Sequence, residues 1–244
     1  MGKDRRDDSK GKREMEELAG TSLYFGMLLS VGAYLLGVWL KNKTGLLILN
    51  PLLVAILAVI VVLKVCGISY EAYNRGGEYL SYFLTPATVC LAIPLYKQLE
   101  MLLNNKLAVG ASILTGVAGS AGSIYVMAKG FGLNHEIYVS LLPKSITTAI
   151  GMGISEEVGG IVTLTVVSII ITGILGNIIA DVIFKVLKIE EPTARGLALG
   201  TSAHAIGTAK ALELGEVEGA MSSLAIAVAG ILTVVVVPLI SGML

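Results

Sequence analysis

Residues 141–157 read LLPKSITTAIGMGISEE and set Lys144, Glu156 and Glu157 among apolar and small side chains. An ion at mid-membrane depth costs about 2.5–3.5 kcal/mol on insertion scales, so an intramembrane Lys or Glu points to function. A second segment, GTSAHAIGTAKALELGEVEGAMSS (200–223), holds His204, Lys210, Glu213, Glu216 and Glu218. The chemistry on offer is anion binding and proton relay. Proline at a first helical position leaves N–H groups free just after it. Those donors and the helix dipole attract an anion. Pro86-Ala87-Thr88 and Pro143-Lys144-Ser145-Ile146-Thr147-Thr148 both fit that description. Thr88, Ser145, Thr147 and Thr148 add hydroxyls, and Lys144 adds a positive charge. Two such half-helices meeting at mid-membrane would hold a small carboxylate. The plainer alternative is that Lys144 snorkels to the interface while the hydroxyls bond back to their own helix.

Glu156 and Glu157 are adjacent, so on a helix they face apart and do not share a proton as a dyad. One lining a path would carry a coupling proton; alternatively both cap the next helix from the aqueous edge. His204, Gly207 and Thr208 fall on one face by helical spacing. A membrane-embedded His binds an anion or relays a proton; otherwise it is a core His bonded to a carbonyl. Glu218, next to Ala220-Met221-Ser222-Ser223, is a better coupling candidate than Glu213 or Glu216, which read as a solvated loop. There is no nucleophile elbow, P-loop, zinc spacing or dinucleotide fingerprint, which argues against an enzyme and against a cofactor. Only two histidines are present, so a metal site of several histidines is excluded. His135 reads as a surface residue.

Elements that must position these groups follow from hydropathy. Of 244 residues, 55% are hydrophobic and 15% charged, against roughly 25% charged in a soluble domain. Apolar runs at 18–40, 45–63, 107–127, 160–180 and 222–240 each approach the roughly 20 residues that cross a bilayer. The class is therefore an all-α polytopic membrane protein, because backbone in lipid must be satisfied within helices or closed barrels. Twenty-nine glycines allow close helix approach. Zero formal net charge argues against nucleic acid as a partner. Cys66 and Cys90 show no redox or metal spacing.

Residues 1–17 mix both charge signs and read as an aqueous tail ahead of a single transmembrane domain over 18–244. Pro86 and Pro94 interrupt residues 78–96, which are therefore kinked, broken or re-entrant. DVIFKVLKIEEPTAR (181–195) reads as an interfacial helix or connector ending before Pro192. Shifting the chain by 57 positions lays Leu84-Thr85-Pro86-Ala87-Thr88 on Leu141-Leu142-Pro143-Lys144-Ser145. It also lays Ile113, Thr115, Gly116 and Gly119 on Ile170, Thr172, Gly173 and Gly176. The repeat units are 78–134 and 135–191. Paired, interrupted apolar segments are the usual pointer to a secondary transporter's substrate site.

LLPKSITTAIGMGIS, TARGLALGTSAHAIGTAKALELGEVEGAMSS and LTPATVCLAIPLYKQ resemble the strongest motifs of the LrgB/CidB family of bacterial membrane proteins. The resemblance covers about residues 20–242. One departure is Ala149, where the family often has proline after the paired threonines. The resemblance implies a holin-like or antiholin-like role in bacterial cell death and lysis, alongside a small LrgA/CidA-type membrane partner. It extends to the plastid glycolate/glycerate translocator, and so implies movement of pyruvate, glycolate or glycerate. Carried over by motif, Pro86, Thr88, Lys144, Ser145, Thr147, Thr148, His204, Gly207 and Thr208 would line the substrate path. Two expectations result: a proton- or cation-coupled monocarboxylate carrier, with Glu156, Glu157 and Glu218 as coupling groups, or a pore or regulator of lysis. No transit peptide is seen in the tail, so a bacterial inner membrane is expected, with a homodimer as the assembly.

Overall fold

The computed structural model describes residues 22, 24–46, 49–83, 86, 89–90, 92–97, 99–104 and 106–244. The tail at 1–17 lies outside them. All regular structure among the described residues is helical. The chain forms two compact units, Met1–Cys90 and Leu91–Leu244.

The first unit holds α1 (Phe25–Thr44), α2 (Pro51–Cys66) and α3 (Tyr70–Ser81). Asn50 Oδ1 accepts the Leu52 and Leu53 N–H groups at 2.9 and 3.3 Å, so α2 starts only at Pro51. The span expected from residue 45 is thus shortened to 16 residues, about 24 Å long and less than the ~30 Å hydrocarbon core. Ser30 Oγ and Tyr73 Oη, 2.7 Å apart, tie α1 to α3.

The second unit runs through α4 (Ala92–Lys97), α5 (Leu99–Asn104), α6 (Lys106–Phe131), α7 (His135–Leu141), α8 (Thr148–Glu157), α9 (Val162–Val186), α10 (Pro192–Leu214) and α11 (Glu216–Ser241). Among the described residues α1, α6, α9 and α11 are long and apolar enough to cross a membrane, so this is a multi-pass membrane protein. Exposed Val126, Ile171 and Ile231 are the lipid-facing surface such helices need.

Two hairpins fill the gaps between the long helices of this unit. In the first, α7 and α8 fold back on each other. Thr165 Oγ1 on α9 lies 2.8 Å from the Ser140 carbonyl oxygen and 2.7 Å from Ser155 Oγ. The Ile161 N–H donates to Ser140 Oγ at 2.7 Å. Ser140 and Ser155 therefore meet although α7 and α8 are separate elements, and the chain reverses between them. The reversal carries Pro143, Lys144 and Ser145. Ser145 Oγ is 3.0 Å from Ser120 Oγ, in the middle of α6. Ser120 lies about 16 Å from the end of α6, close to half of a ~30 Å core. We expect Thr165→Val, which keeps the shape and deletes the shared hydroxyl, to cost about 1–3 kcal/mol. Thermal unfolding in detergent would show it as a lowered midpoint, and an unchanged midpoint would remove this cluster as the hairpin's fastening.

α10 makes the second hairpin. Its backbone turns at His204, with φ 42 and ψ −135. A Cβ on Gly207 would collide with the Leu199 carbonyl oxygen, whereas eight residues of straight helix rise about 12 Å. The second half of α10 returns toward the end of α9, where Lys210 Nζ meets Asp181 Oδ2 at 2.7 Å. Its first half packs on α11 through Gly196 and Gly200; a Cβ on Gly200 would stand 2.7 Å from Ala225 Cβ. Small residues four apart permit this backbone approach. The hairpins thus reach the middle of α9 from its opposite ends.

The connector expected over 181–195 is corrected here. Asp181 to Val186 prolong α9, and the left-handed Lys188 (φ 52) lies just beyond its end. Pro192 then begins a helix rather than following one, with the Glu191 carboxylate accepting the Ala194 N–H at 2.7 Å. Proline at the first helical position gives up an N–H that had no partner there.

Candidate functional site

Lys144 stands at the tip of the first hairpin. Its Nζ lies 3.0 Å from Ser145 Oγ and 3.4 Å from Ser120 Oγ. Among the described residues no carboxylate pairs with it. A half-buried ammonium held only by hydroxyls retains donor capacity for an anion, and charge-assisted bonds of that kind are the strong ones. Lys144 opens on a groove of about 330 Å³ between α9 and α10, with Thr172 and Ser202 at the same end. Ser145 is buried on the other side of the tip. With Ser120, Thr201 and Thr233 it lines a cavity of about 10 Å³, the room of a single water.

The tip of the second hairpin presents His204. Its imidazole is buried, and Nε2 lies 2.9 Å from the Ile169 carbonyl oxygen of α9. A carbonyl only accepts, so the proton of that bond is on Nε2. Gly173 makes the space: a Cβ there would stand 2.7 Å from the ring. The reading of His204 as a core residue bonded to a carbonyl is the one these contacts match. Its backbone lies at a positive φ that non-glycine residues rarely adopt, and such conformations concentrate at functional sites.

Several sequence-based expectations are revised by this geometry. Pro143 does not start a helix. It lies in the turn after α7, and α8 begins at Thr148, with Thr147 preceding it and making no side-chain cap. The free N–H groups therefore follow Thr147, not Pro143. His204, Gly207 and Thr208 do not present one face, because the helix breaks at His204. The ring turns to α9, while Thr208 Oγ1 is 2.7 Å from Ser222 Oγ on α11. Thr147 and Thr148 are half-buried beside the tip. Glu156 and Glu157 are exposed at the end of α8. Glu218 is buried in the first turn of α11, its carboxylate against the Gly215 backbone. Pro86 is exposed and belongs to the other unit; Thr88 lies outside the described residues.

Sequence reasoning missed Ser120, Thr201 and Ser202 as partners of the tip. Ser202 stands 57 positions after Ser145, so carrying the same shift one unit further would have found it. Ser120 had no such signal within its run of small residues.

A family described as the LrgB-like family matches residues 30–243. The chain is 42% identical over 218 residues to the Antiholin-like protein LrgB of Bacillus subtilis (strain 168), covering 89% of this chain and 94% of that protein. It is 42% identical over 217 residues to the Antiholin-like protein LrgB of Bacillus mycoides (strain KBAB4), covering 88% and 94%. The protein of the same name in Bacillus cereus (strain B4264) is 41% identical over 217 residues, with the same coverage. No solved structure matches the chain.

Proposed function

The chain belongs to the LrgB-like family, and from that premise we propose that it acts as an antiholin-like protein of the bacterial plasma membrane. In this role it limits membrane permeation in company with a small LrgA/CidA-type membrane protein. The observation that carries the proposal is 42% identity over 94% of a relative that bears this name. Expression with and without such a partner, followed by dye entry and membrane potential, tests it. Slower depolarisation when the chain is present is expected. Depolarisation at the same rate with and without the chain, partner present, would remove the antiholin-like role.

A second reading is favoured by one specific observation, Lys144 at the first hairpin tip with no carboxylate partner among the described residues. We infer that the hairpins are re-entrant and that the 57-residue repeat is real. Gly116 lies against Thr201 and Gly173 lies against His204, so repeat-related glycines border the same turn of α10. Paired repeat units with broken segments are a carrier's architecture. On this reading small monocarboxylates of the pyruvate, glycolate or glycerate type bind Lys144 and the hydroxyls of Thr147, Thr148 and Ser202, while Ser145 holds the ammonium from behind. Gly207 and Thr208 shape the path. Glu218, Glu156 or Glu157 would take a coupling proton or cation, and a homodimer would be the working unit. Liposomes holding a trapped dye larger than the acids separate the readings. Saturable acid uptake with dye retained is the carrier outcome; dye loss is that of a pore.

A further inference from the structure

We propose that the groove between α9 and α10 binds one anionic phospholipid. Its phosphate sits between Lys185 and Lys188 beside Arg195, and one acyl chain lies along α9 past Phe184 toward Thr172. This needs only that the protein sits in a membrane; it does not rest on either functional reading.

Two cavities carry the inference. One, of about 280 Å³, lies at the end of α9 and is lined by Lys185, Lys188 and Arg195 together with Asp181 and Glu190. The second is the apolar groove of about 330 Å³, walled by Leu175, Ile179, Ile183 and Leu199. Phe184 lines both, so a charged chamber and an apolar groove share a wall.

The charges favour an anion. Asp181 is already held by Lys210 at 2.7 Å. Arg195 Nε donates to the Ile189 carbonyl at 2.7 Å, and its guanidinium lies 5.7 Å from the Phe184 ring centre. It is therefore fixed in place with donors to spare. Lys185 and Lys188 pair with no carboxylate among the described residues. Of the carboxylates lining the chamber, Glu190 alone opposes them unneutralised. Basic pockets of this kind between membrane helices hold anionic headgroups.

Depth and length fit a lipid rather than a free phosphate. The apolar run of α9 ends at Ala180 and the helix itself at Val186, which puts the basic chamber at the interface. From Phe184 to Thr172 the helix rises about 18 Å, slightly over half the ~30 Å hydrocarbon core, the reach of one leaflet's chain. Thr172, Ser202 and Lys144 end the groove and mark where an apolar chain must stop. A soluble phosphate would leave this groove unused.

Native mass spectrometry of the full chain in detergent, titrated with phosphatidylglycerol or phosphatidylcholine, is the test. Glycerol phosphate and oleyl alcohol serve as head-only and uncharged-tail probes. The expected result is phosphatidylglycerol binding at least about tenfold tighter than the other three. In the doubly substituted K185Q/K188Q chain that preference should vanish. Both lysines are exposed, and an unchanged unfolding midpoint would confirm that the variant folds. Leu175→Trp, which enlarges an exposed wall residue into the groove, should weaken the lipid while leaving glycerol phosphate unaffected. Equal binding of the two lipids, or glycerol phosphate binding as tightly as phosphatidylglycerol, would overturn the proposal.

Discussion

Lys144→Ala is expected to lower the affinity for a small monocarboxylate by about 10- to 100-fold in reconstituted vesicles while the protein still inserts and folds. The magnitude follows from the bond removed. A hydrogen bond to a charged group contributes about 1.5–3 kcal/mol, and every 1.4 kcal/mol is tenfold. Folding should survive because, among the described residues, the amine is held only by Ser145 and Ser120 at 3.0 and 3.4 Å and no carboxylate is left unpaired by its loss. Lys144→Arg keeps the charge but not the compact ammonium, and should retain part of the uptake. The same variant divides the two functional readings. If the protein acts only as an antiholin-like regulator, Lys144→Ala leaves protection against depolarisation intact. Unchanged uptake kinetics in Lys144→Ala would remove the tip of the first hairpin as the binding site.

The helical class and three of the long spans of the second unit were legible because twenty apolar residues in a row have few other solutions. The break around Pro143 was legible too, since proline and a lysine together do not sit in an undisturbed membrane helix. Helix limits were not. α8 starts five residues after Pro143 because Leu142 to Ile146 turn first and bring Ser145 to Ser120, a contact between residues far apart in sequence. His204 shows the deeper reason. Its run, GTSAHAIGTAK, contains no proline, and helical spacing suggested a continuous face. The reversal there depends on Gly173 of α9 clearing space for the ring and on Gly207 allowing the returning backbone to approach Leu199. Both are tertiary conditions that a one-dimensional pattern does not express. Lys210 was noticed as an ion, but its partner Asp181 stood in a segment expected to be a connector.

Substitutions at His204 are expected to invert the usual ranking of alanine and glycine. In a straight helix glycine is less favourable than alanine by about 1 kcal/mol. At φ 42 and ψ −135 a side chain costs about 1–3 kcal/mol, and glycine escapes that cost. His204→Ala keeps the backbone cost, deletes the bond to the Ile169 carbonyl and empties the space beside Gly173. It should therefore lower the unfolding midpoint in detergent. His204→Gly loses the same bond but relieves the backbone, and should be more stable than the alanine variant by about 1–2 kcal/mol. If alanine proves the more stable of the two, α10 continues through residue 204 and the second hairpin does not exist. The functional readout adds an independent line. Were the imidazole only a fastener, uptake would track stability across both variants. A proton relay through the ring would instead abolish uptake in both, whichever folds better. The order of midpoints thus tests the turn, and the uptake of the more stable variant tests the ring.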